Sequence, residues 1–147
     1  MNITLRKANI DDGELLLKWR NDPQVYLHYH NPEPVEREVH FRWFTSALED
    51  TNRHIYIAEA DGRPVGMIRF DADDKGREEL SWAVDPTLQR KGIGTAMLKE
   101  ARLISDKELV AEIKKENIGS IKMAESAGFM LDEENNGTLF YSSKLRK

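Results

Sequence analysis

Apolar positions recur along the chain at two spacings, and each change of spacing marks a change of element. Ile3 to Lys7 reads as a short strand, after which Asp11-Asp12 signals a helix start and Leu15, Leu16 and Trp19 make one apolar face. Asp22-Pro23 ends that helix, because proline disfavours helical backbone in the residue before it. A loop through Asn31, Pro32 and Pro34 leads to a second helix, where Val39, Trp43, Phe44, Ala47 and Leu48 recur at helical spacing. His54 to Ala60 and Val65 to Phe70 are rich in β-formers and flank Asp61-Gly62, a dipeptide suited to a type I′ hairpin turn.

Glu79 to Val84 reads as a third central strand, followed by Asp85-Pro86. Gly92 then opens a helix with Ile93, Ala96, Met97, Ala101 and Ile104 on one face. Leu109 to Ile113 is the next strand. Asn117 caps a helix carrying Ile118, Ile121 and Ala124, and Gly128 stands where a glycine would end it. Phe129 begins a last hairpin, turned by Asn135-Asn136-Gly137 and closed by Thr138 to Ser143. The order β-α-α-β-β-β-α-β-α-β-β predicts a mixed sheet with helices on its faces. The strand-helix-strand unit from Glu79 to Ile113 is expected to be a right-handed parallel crossover.

Composition narrows the class. The 147 residues contain no repeat or low-complexity linker, so a single domain over residues 1–147 is expected. A chain of this size buries roughly 68–70% of its unfolded surface, enough for one core without staples. Cysteine is absent, which excludes disulfides and thiolate metal sites and favours a reducing compartment. With 22 Lys+Arg against 26 Asp+Glu the net charge is −4, and basic blocks are lacking, so nucleic acid is not the expected partner. The start of the sequence lacks an apolar leader pattern and no run approaches about 18 apolar residues, so a cytoplasmic protein without a membrane partner is expected.

Gln89-Arg90-Lys91-Gly92-Ile93-Gly94-Thr95 is the strongest chemical signal, lying between a strand and an amphipathic helix. A helix start leaves backbone N–H groups without intrahelical partners and attracts anions. Gly92 and Gly94 remove side chains that would keep a phosphate away, while Arg90 and Lys91 add positive charge. The spacing is not that of a Walker A loop, and the third glycine of the dinucleotide fingerprint is missing. A plain glycine-containing helix start is the alternative.

Gln89-x-x-Gly92-x-Gly94, preceded by Val84-Asp85-Pro86, resembles the acetyl-CoA pyrophosphate loop of the GNAT (GCN5-related N-acetyltransferase) superfamily. Downstream, Glu116-Asn117-x-x-Ser120-Ile121 with Gly128-Phe129 is similar to the family's next motif. Trp19-Arg20-Asn21-Asp22-Pro23, His40 to Phe44 and Pro64 to Asp71 resemble the branch that acetylates amino groups on nucleotide-linked sugars, the pseudaminic-acid pathway type. The resemblance implies an α/β (α+β) fold: a mixed, mostly antiparallel central sheet of six to seven strands, about four helices, and a central parallel pair that splays. It also implies acetyl-CoA as cosubstrate and transfer of acetyl to a primary amine, with a nucleotide-linked amino sugar as the preferred acceptor. A protein amino terminus, as in the ribosomal-protein acetyltransferase branch, and a non-catalytic CoA-binding domain are the alternatives.

Carried over residue by residue, the resemblance implies that amides of Gln89, Arg90, Lys91, Gly92, Ile93, Gly94 and Thr95 hold the CoA pyrophosphate. Trp82, Ala83 and Val84 would pair through their backbone with the pantetheine arm, and the Asn117 amide would contact it, cap its helix, or do both. An alkylammonium needs a base before it can attack a thioester. Glu79 and Glu78 are the candidates, and strand alternation lets only one face the cleft; the family pattern favours Glu79. The tyrosine that many members place seven residues after the Asn is Ala124 here, leaving Ser120, Tyr141, a water or an unassisted thiolate.

Tyr26, His28, Tyr29 and His30, in the loop from Asn21 to Pro34, either pack on the early helices or stack on an acceptor. His28 and His30 make a weak metal pair, and no metal is expected. Asp71, Asp73 and Asp74 read as a solvated acidic turn. Arg69 and Asp71 share one strand face, a candidate acceptor side. Trp19, Trp43 and Phe44 are expected core residues. The protein is expected to be a monomer or a homodimer, with a sheet edge or the terminal hairpin available for pairing.

Overall fold

The computed structural model describes residues 2–29 and 31–144, so the expectation for His30 lies outside the described residues. One seven-stranded sheet, in the order β1-β2-β3-β4-β5-β7-β6, carries helices on both faces. Its strands are β1 (Ile3–Lys7), β2 (Arg53–Ala60), β3 (Arg63–Ala72), β4 (Glu78–Val84), β5 (Leu109–Lys114), β6 (Met130–Asn135) and β7 (Thr138–Ser142). Every neighbouring pair is antiparallel except β4 and β5. Both expected tight turns form, with positive φ at Asp61 and Gly62 and at Asn136 and Gly137, the geometry of a type I′ turn.

Five α-helices are present among the described residues: α1 (Gly13–Arg20), α2 (Pro23–Tyr26), α3 (Arg37–Glu49), α4 (Ile93–Ile104) and α5 (Ile118–Ser126). The one-turn α2 corrects the reading of Asn21 to Pro34 as loop alone. Pro23 stops α1 yet fits the first position of α2, where its missing N–H costs nothing. The Asp22 carboxylate caps that turn by accepting from the Gln24 N–H at 2.8 Å. The entry to α1 is set by Asp12, which accepts from the Asn9 N–H at 2.8 Å and receives both arms of the Arg6 guanidinium at 2.8 and 2.9 Å. That fork ties β1 to the first helix.

Strand alternation separates two cores. Ile55 and Ile57 of β2 face Leu16 and Trp19 of α1 and Phe44 and Ala47 of α3. On the opposite face Ala58, Ile68, Phe70 and Leu80 pack against Ile93, Met97, Leu98 and Ala101 of α4, with Ala124 of α5. Met97 and Leu98 are wholly buried, and each such side chain contributes about 1.5–3 kcal/mol by leaving water. Trp43 packs against the first core as expected but at its rim, where it is only partly buried. No helix among the described residues is long and apolar enough to cross a membrane.

Two glycines at the start of α4 act differently. Gly92 is its N-cap at φ +76, with nothing within 4 Å of a Cβ built there; this is backbone that a side chain would strain. Gly94 is buried, and a Cβ on it would stand 2.3 Å from Sδ and 2.9 Å from Cγ of Met123. Its lack of a side chain therefore serves the close approach of α4 to α5. Gly94→Val is expected to cost about 1–3 kcal/mol through overpacking, read as a lower urea midpoint. Adding Met123→Ala should restore part of that loss.

Candidate active site

β4 and β5 run side by side for only two registered pairs, Glu78 with Leu109 and Glu79 with Val110. Beyond them the strands part, although β3 stays paired with β4 to Val84 and β7 stays paired with β5 to Lys114. The expected splay is therefore present. A cleft of about 730 Å³ occupies the gap and continues towards α1 and α3. One wall is Glu79 to Val84 of β4 with Gln89; the other is Glu112 to Lys114 of β5 with Asn117, Ser120 and Met123. Past Glu79, the backbone edge of β4 that faces β5 lacks a partner strand, so its N–H and C=O groups are available to an extended ligand.

The two glutamates of β4 diverge, as alternation requires. Glu79 lines the cleft, whereas Glu78 accepts a hydrogen bond from the Ser105 hydroxyl at the end of α4, at 2.6 Å. Glu78 is thus turned away from the gap, and of the two it is Glu79 that lines it. Beside Glu79 stands Glu112, a residue the sequence reading did not single out. Val110, the register partner of Glu79, puts Glu112 two residues further along β5 and on the same face. Burial raises the Glu79 pKa, the Glu112 charge and hydrogen bond raise it further, Asp71 adds to this, and Arg69 opposes it. The signal for Glu112 was an acidic residue at an alternate position of an otherwise apolar strand; its partner was invisible until β4 and β5 were registered.

Ser120 lines the cleft, and its N–H is capped by the Asn117 side chain at 3.2 Å. Asn117 therefore caps α5 and also lines the cleft. Tyr141 does not: its ring is buried in the core and its hydroxyl donates to Glu125 at 2.8 Å. Burial, with the Glu125 hydrogen bond and charge, pushes its pKa up to about 12. The expectation that Tyr141 could protonate a leaving group at the cleft is corrected by that direction and by that partner. Ala124, at the position of the missing tyrosine, is wholly buried.

In the segment from Gln89 to Thr95, Arg90 and Gly92 both have positive φ, and the first intrahelical bond of α4 runs from the Ala96 N–H to the Gly92 carbonyl. No side chain caps α4, so the amides before Ala96 are free of the kind of partner that Asn117 supplies to α5. Arg90, Lys91 and Gly92 are exposed and Ile93 is buried. Gln89 lines the cleft, with its amide donating to the Val84 carbonyl at 3.4 Å; Arg90 to Thr95 lie outside the lining. Trp82 also lines the cleft, and its buried indole N–H has no partner among the described residues.

The other end of the cleft is built by the amino-terminal helices. Leu16, Trp19 and Arg20 of α1, Val25 of α2, and His40 and Trp43 of α3 line it. His28 and Tyr29 belong to the same wall, and Lys114 of β5 donates to the Tyr29 carbonyl, bridging the cleft. Of the aromatic residues of this loop, His28 and Tyr29 thus line the cavity and Tyr26 does not. Arg69 lies opposite Ser81 in the β3–β4 register and donates to Asp71 at 2.9 Å, so Arg69, Asp71, Glu79 and Ser81 share the cleft face. Asp73 is engaged by Arg77 at 2.8 Å, and no cluster able to hold a metal occurs among the described residues.

The profile of the Acetyltransferase (GNAT) family matches residues 14–129. Uncharacterized protein MJ1062 of Methanocaldococcus jannaschii is 31% identical over 134 residues, covering 86% of this chain and 28% of that protein. The chain therefore spans less than a third of this archaeal relative. The acetyltransferase PseH of Campylobacter jejuni is 23% identical over 134 residues, covering 88% of this chain and 83% of PseH. A crystal structure of PseH in complex with acetyl coenzyme A shares the fold at TM-score 0.72 and 20% identity, covering 96% and 97% of the two chains. Aminoglycoside acetyltransferase AAC(6')-Ib in complex with ribostamycin and coenzyme A shares it at 0.83 and 19%, covering 97% and 92%.

Because Tyr141 points into the core, Tyr141→Phe is expected to cost about 0.5–1.5 kcal/mol of stability, the worth of one hydrogen bond. Urea unfolding would read this, and turnover per folded molecule should stay at the wild-type level.

Proposed function

The chain belongs to the GNAT acetyltransferase family, and from that premise we propose that it transfers acetyl from acetyl-CoA to the primary amine of a small molecule, with a nucleotide-linked amino sugar as the acceptor. The observation that carries this reading is the opening of β4 from β5 immediately past Glu79, with two carboxylates on one face of the fork. In this reading the pantetheine arm adds to the free edge of β4 at Trp82 to Val84, and Asn117 faces it. The pyrophosphate meets the uncapped start of α4, where Gly92 lets the backbone approach and Arg90 and Lys91 add charge. The unpartnered Trp82 indole N–H supports a polar ligand group on the same wall.

The amine arrives from the α1–α3 side as an ammonium. Glu79, backed by Glu112, takes one proton; a carboxylate whose pKa is raised is a better match to that task at neutral pH than an ordinary one. The amine lone pair attacks the thioester carbonyl, a C–N bond forms, the C–S bond breaks and CoA leaves as a thiolate. The second N–H proton passes from the adduct to that thiolate or to water. A thiol of ordinary pKa about 8.5 leaves without a dedicated acid at modest cost, and Ser120 is the predicted hydroxyl that lines the cleft.

A peptide amino terminus fits less well, because the Lys114 bridge to the Tyr29 carbonyl crosses the cleft that an extended chain would need. The sugar branch is supported by the likeness to PseH and by the aromatic and cationic groups at the acceptor end.

Acetyl-CoA at 100 times its Kd should add about 2.7 kcal/mol and raise Tm by roughly 5–10 °C, with ATP and NAD giving no comparable shift. Glu79→Gln should keep that shift while slowing transfer about 10²–10⁴-fold; unchanged turnover would remove Glu79 from the reaction. The pH profile provides a separate check. A base must be ionised to act, and Glu112 holds the Glu79 pKa up, so Glu112→Gln should move the acid limb of kcat/KM to lower pH. A limb that stays in place would mean that the two carboxylates act independently.

A further inference from the structure

Trp82 holds a hydrogen-bond donor that the protein leaves unused. Its indole nitrogen is buried and finds no acceptor among the described residues, although the ring lines the cleft. An indole N–H donates and never accepts, so burying it unpaired costs free energy that an acceptor on a ligand would return. The register partner of Trp82 is Ile68, which puts the ring on the sheet face covered by α4 and α5, packed against the core that includes Leu80, Val84 and Ala124.

Glu79 and Glu112 belong to the other face of the sheet. On the Trp82 side the cleft is lined by Asn117, Ser120 and Met123. In the proposed reaction the amine enters beside the two carboxylates while CoA extends towards the start of α4, so the bond that forms and the bond that breaks face opposite sides of the sheet. The amides of the pantetheine arm can pair with the free backbone edge of β4, which offers both donors and acceptors. The sulfur is where negative charge develops as the C–S bond breaks. Neither Ala124, which is wholly buried, nor Tyr141, whose hydroxyl is engaged by Glu125, supplies a donor there.

We infer that the Trp82 indole N–H donates to the CoA sulfur as the C–S bond breaks, which makes Trp82 a further catalytic residue. This rests on the acetyl-transfer reading and deepens it. The amine lone pair forms the C–N bond, the C–S electron pair passes to sulfur, and the indole keeps its proton throughout. The proton that ends on the thiol comes from the adduct or from water. A donor held in place and shielded from solvent stabilises developing charge without having to reorganise, which is how an oxyanion hole acts.

Nitrogen–proton correlation NMR of the full chain tests this, because its three tryptophans give three indole signals. Spectra are taken at about pH 9, where a thiol of ordinary pKa about 8.5 is largely ionised and CoA resembles the leaving group. The Trp82 signal, assigned from its own ring and backbone couplings so that no variant is needed, should move downfield on saturation with CoA and move little with desulfo-CoA, which lacks the sulfur. No shift with CoA would overturn the inference, and so would equal shifts with both, which would give the N–H to the pantetheine amides. Trp82→Phe removes the donor and keeps an aromatic ring. It should lower kcat about 10–10²-fold, less than the loss of an oxyanion donor because sulfur is the weaker acceptor, with the KM for acetyl-CoA within about threefold of wild type. The acetyl-CoA thermal shift reports that this variant is folded. A raised KM at unchanged kcat would also overturn the inference. A sulfur-dependent indole shift without transfer to any amine would sink the proposed function and leave this contact standing; transfer with an indole signal indifferent to sulfur would do the reverse.

Discussion

Two registered pairs, Glu78 with Leu109 and Glu79 with Val110, hold the only parallel junction of the sheet among the described residues, and the rest of the molecule is arranged around its failure to continue. A parallel pair can be joined only by a crossover, here α4, which packs Ile93, Met97, Leu98 and Ala101 onto the sheet. β3 and β7 clamp the outer edges of β4 and β5, so the gap between them is held open by strands that are themselves fully paired. The open edge leaves polar backbone without a strand partner, and the cleft exposes those groups to solvent or ligand.

The fork also explains the electrostatics. Glu79 and Glu112 come from strands that are adjacent at the junction and part above it, so their carboxylates meet in a partly desolvated place. Arg69 and Asp71 flank them from β3, and Arg20 reaches the same cavity from α1. Arg20 is thus held on a different element from the two glutamates, whereas Arg69 and Asp71 are paired on one strand. Lys114 bridging to Tyr29 and Gly94 admitting Met123 tie neighbouring elements together on two sides of the cleft.

Much of the architecture was legible in local pattern. The two Asp/Asn-Gly turns, the Asn117 cap and the Gly128 terminator depend on residues within a few positions of one another, and each forms as its local chemistry requires. Asp22-Pro23 was half-legible: the stop signal was read and the start signal was not, although the same two residues serve both ends. The site was less legible. Glu79 over Glu78 follows from the alternation of β4, but Tyr141 was drawn in by its hydroxyl when its partner is Glu125 in the core. The contact of Gly94 with Met123, which brings α4 against α5, carries no signal in the local pattern.

Turn chemistry, helix caps, the alternation of strands and the glycine start of α4 were determined by the sequence alone, because each rests on interactions spanning a few residues. The pairing of Glu79 with Glu112, the place of Arg20 at the cleft, the burial of Tyr141 and the partial exposure of Trp43 were decided only by tertiary structure. These depend on which strand lies beside which and on how far two elements stand apart, and the periodicity of either element carries no record of its distance from the other.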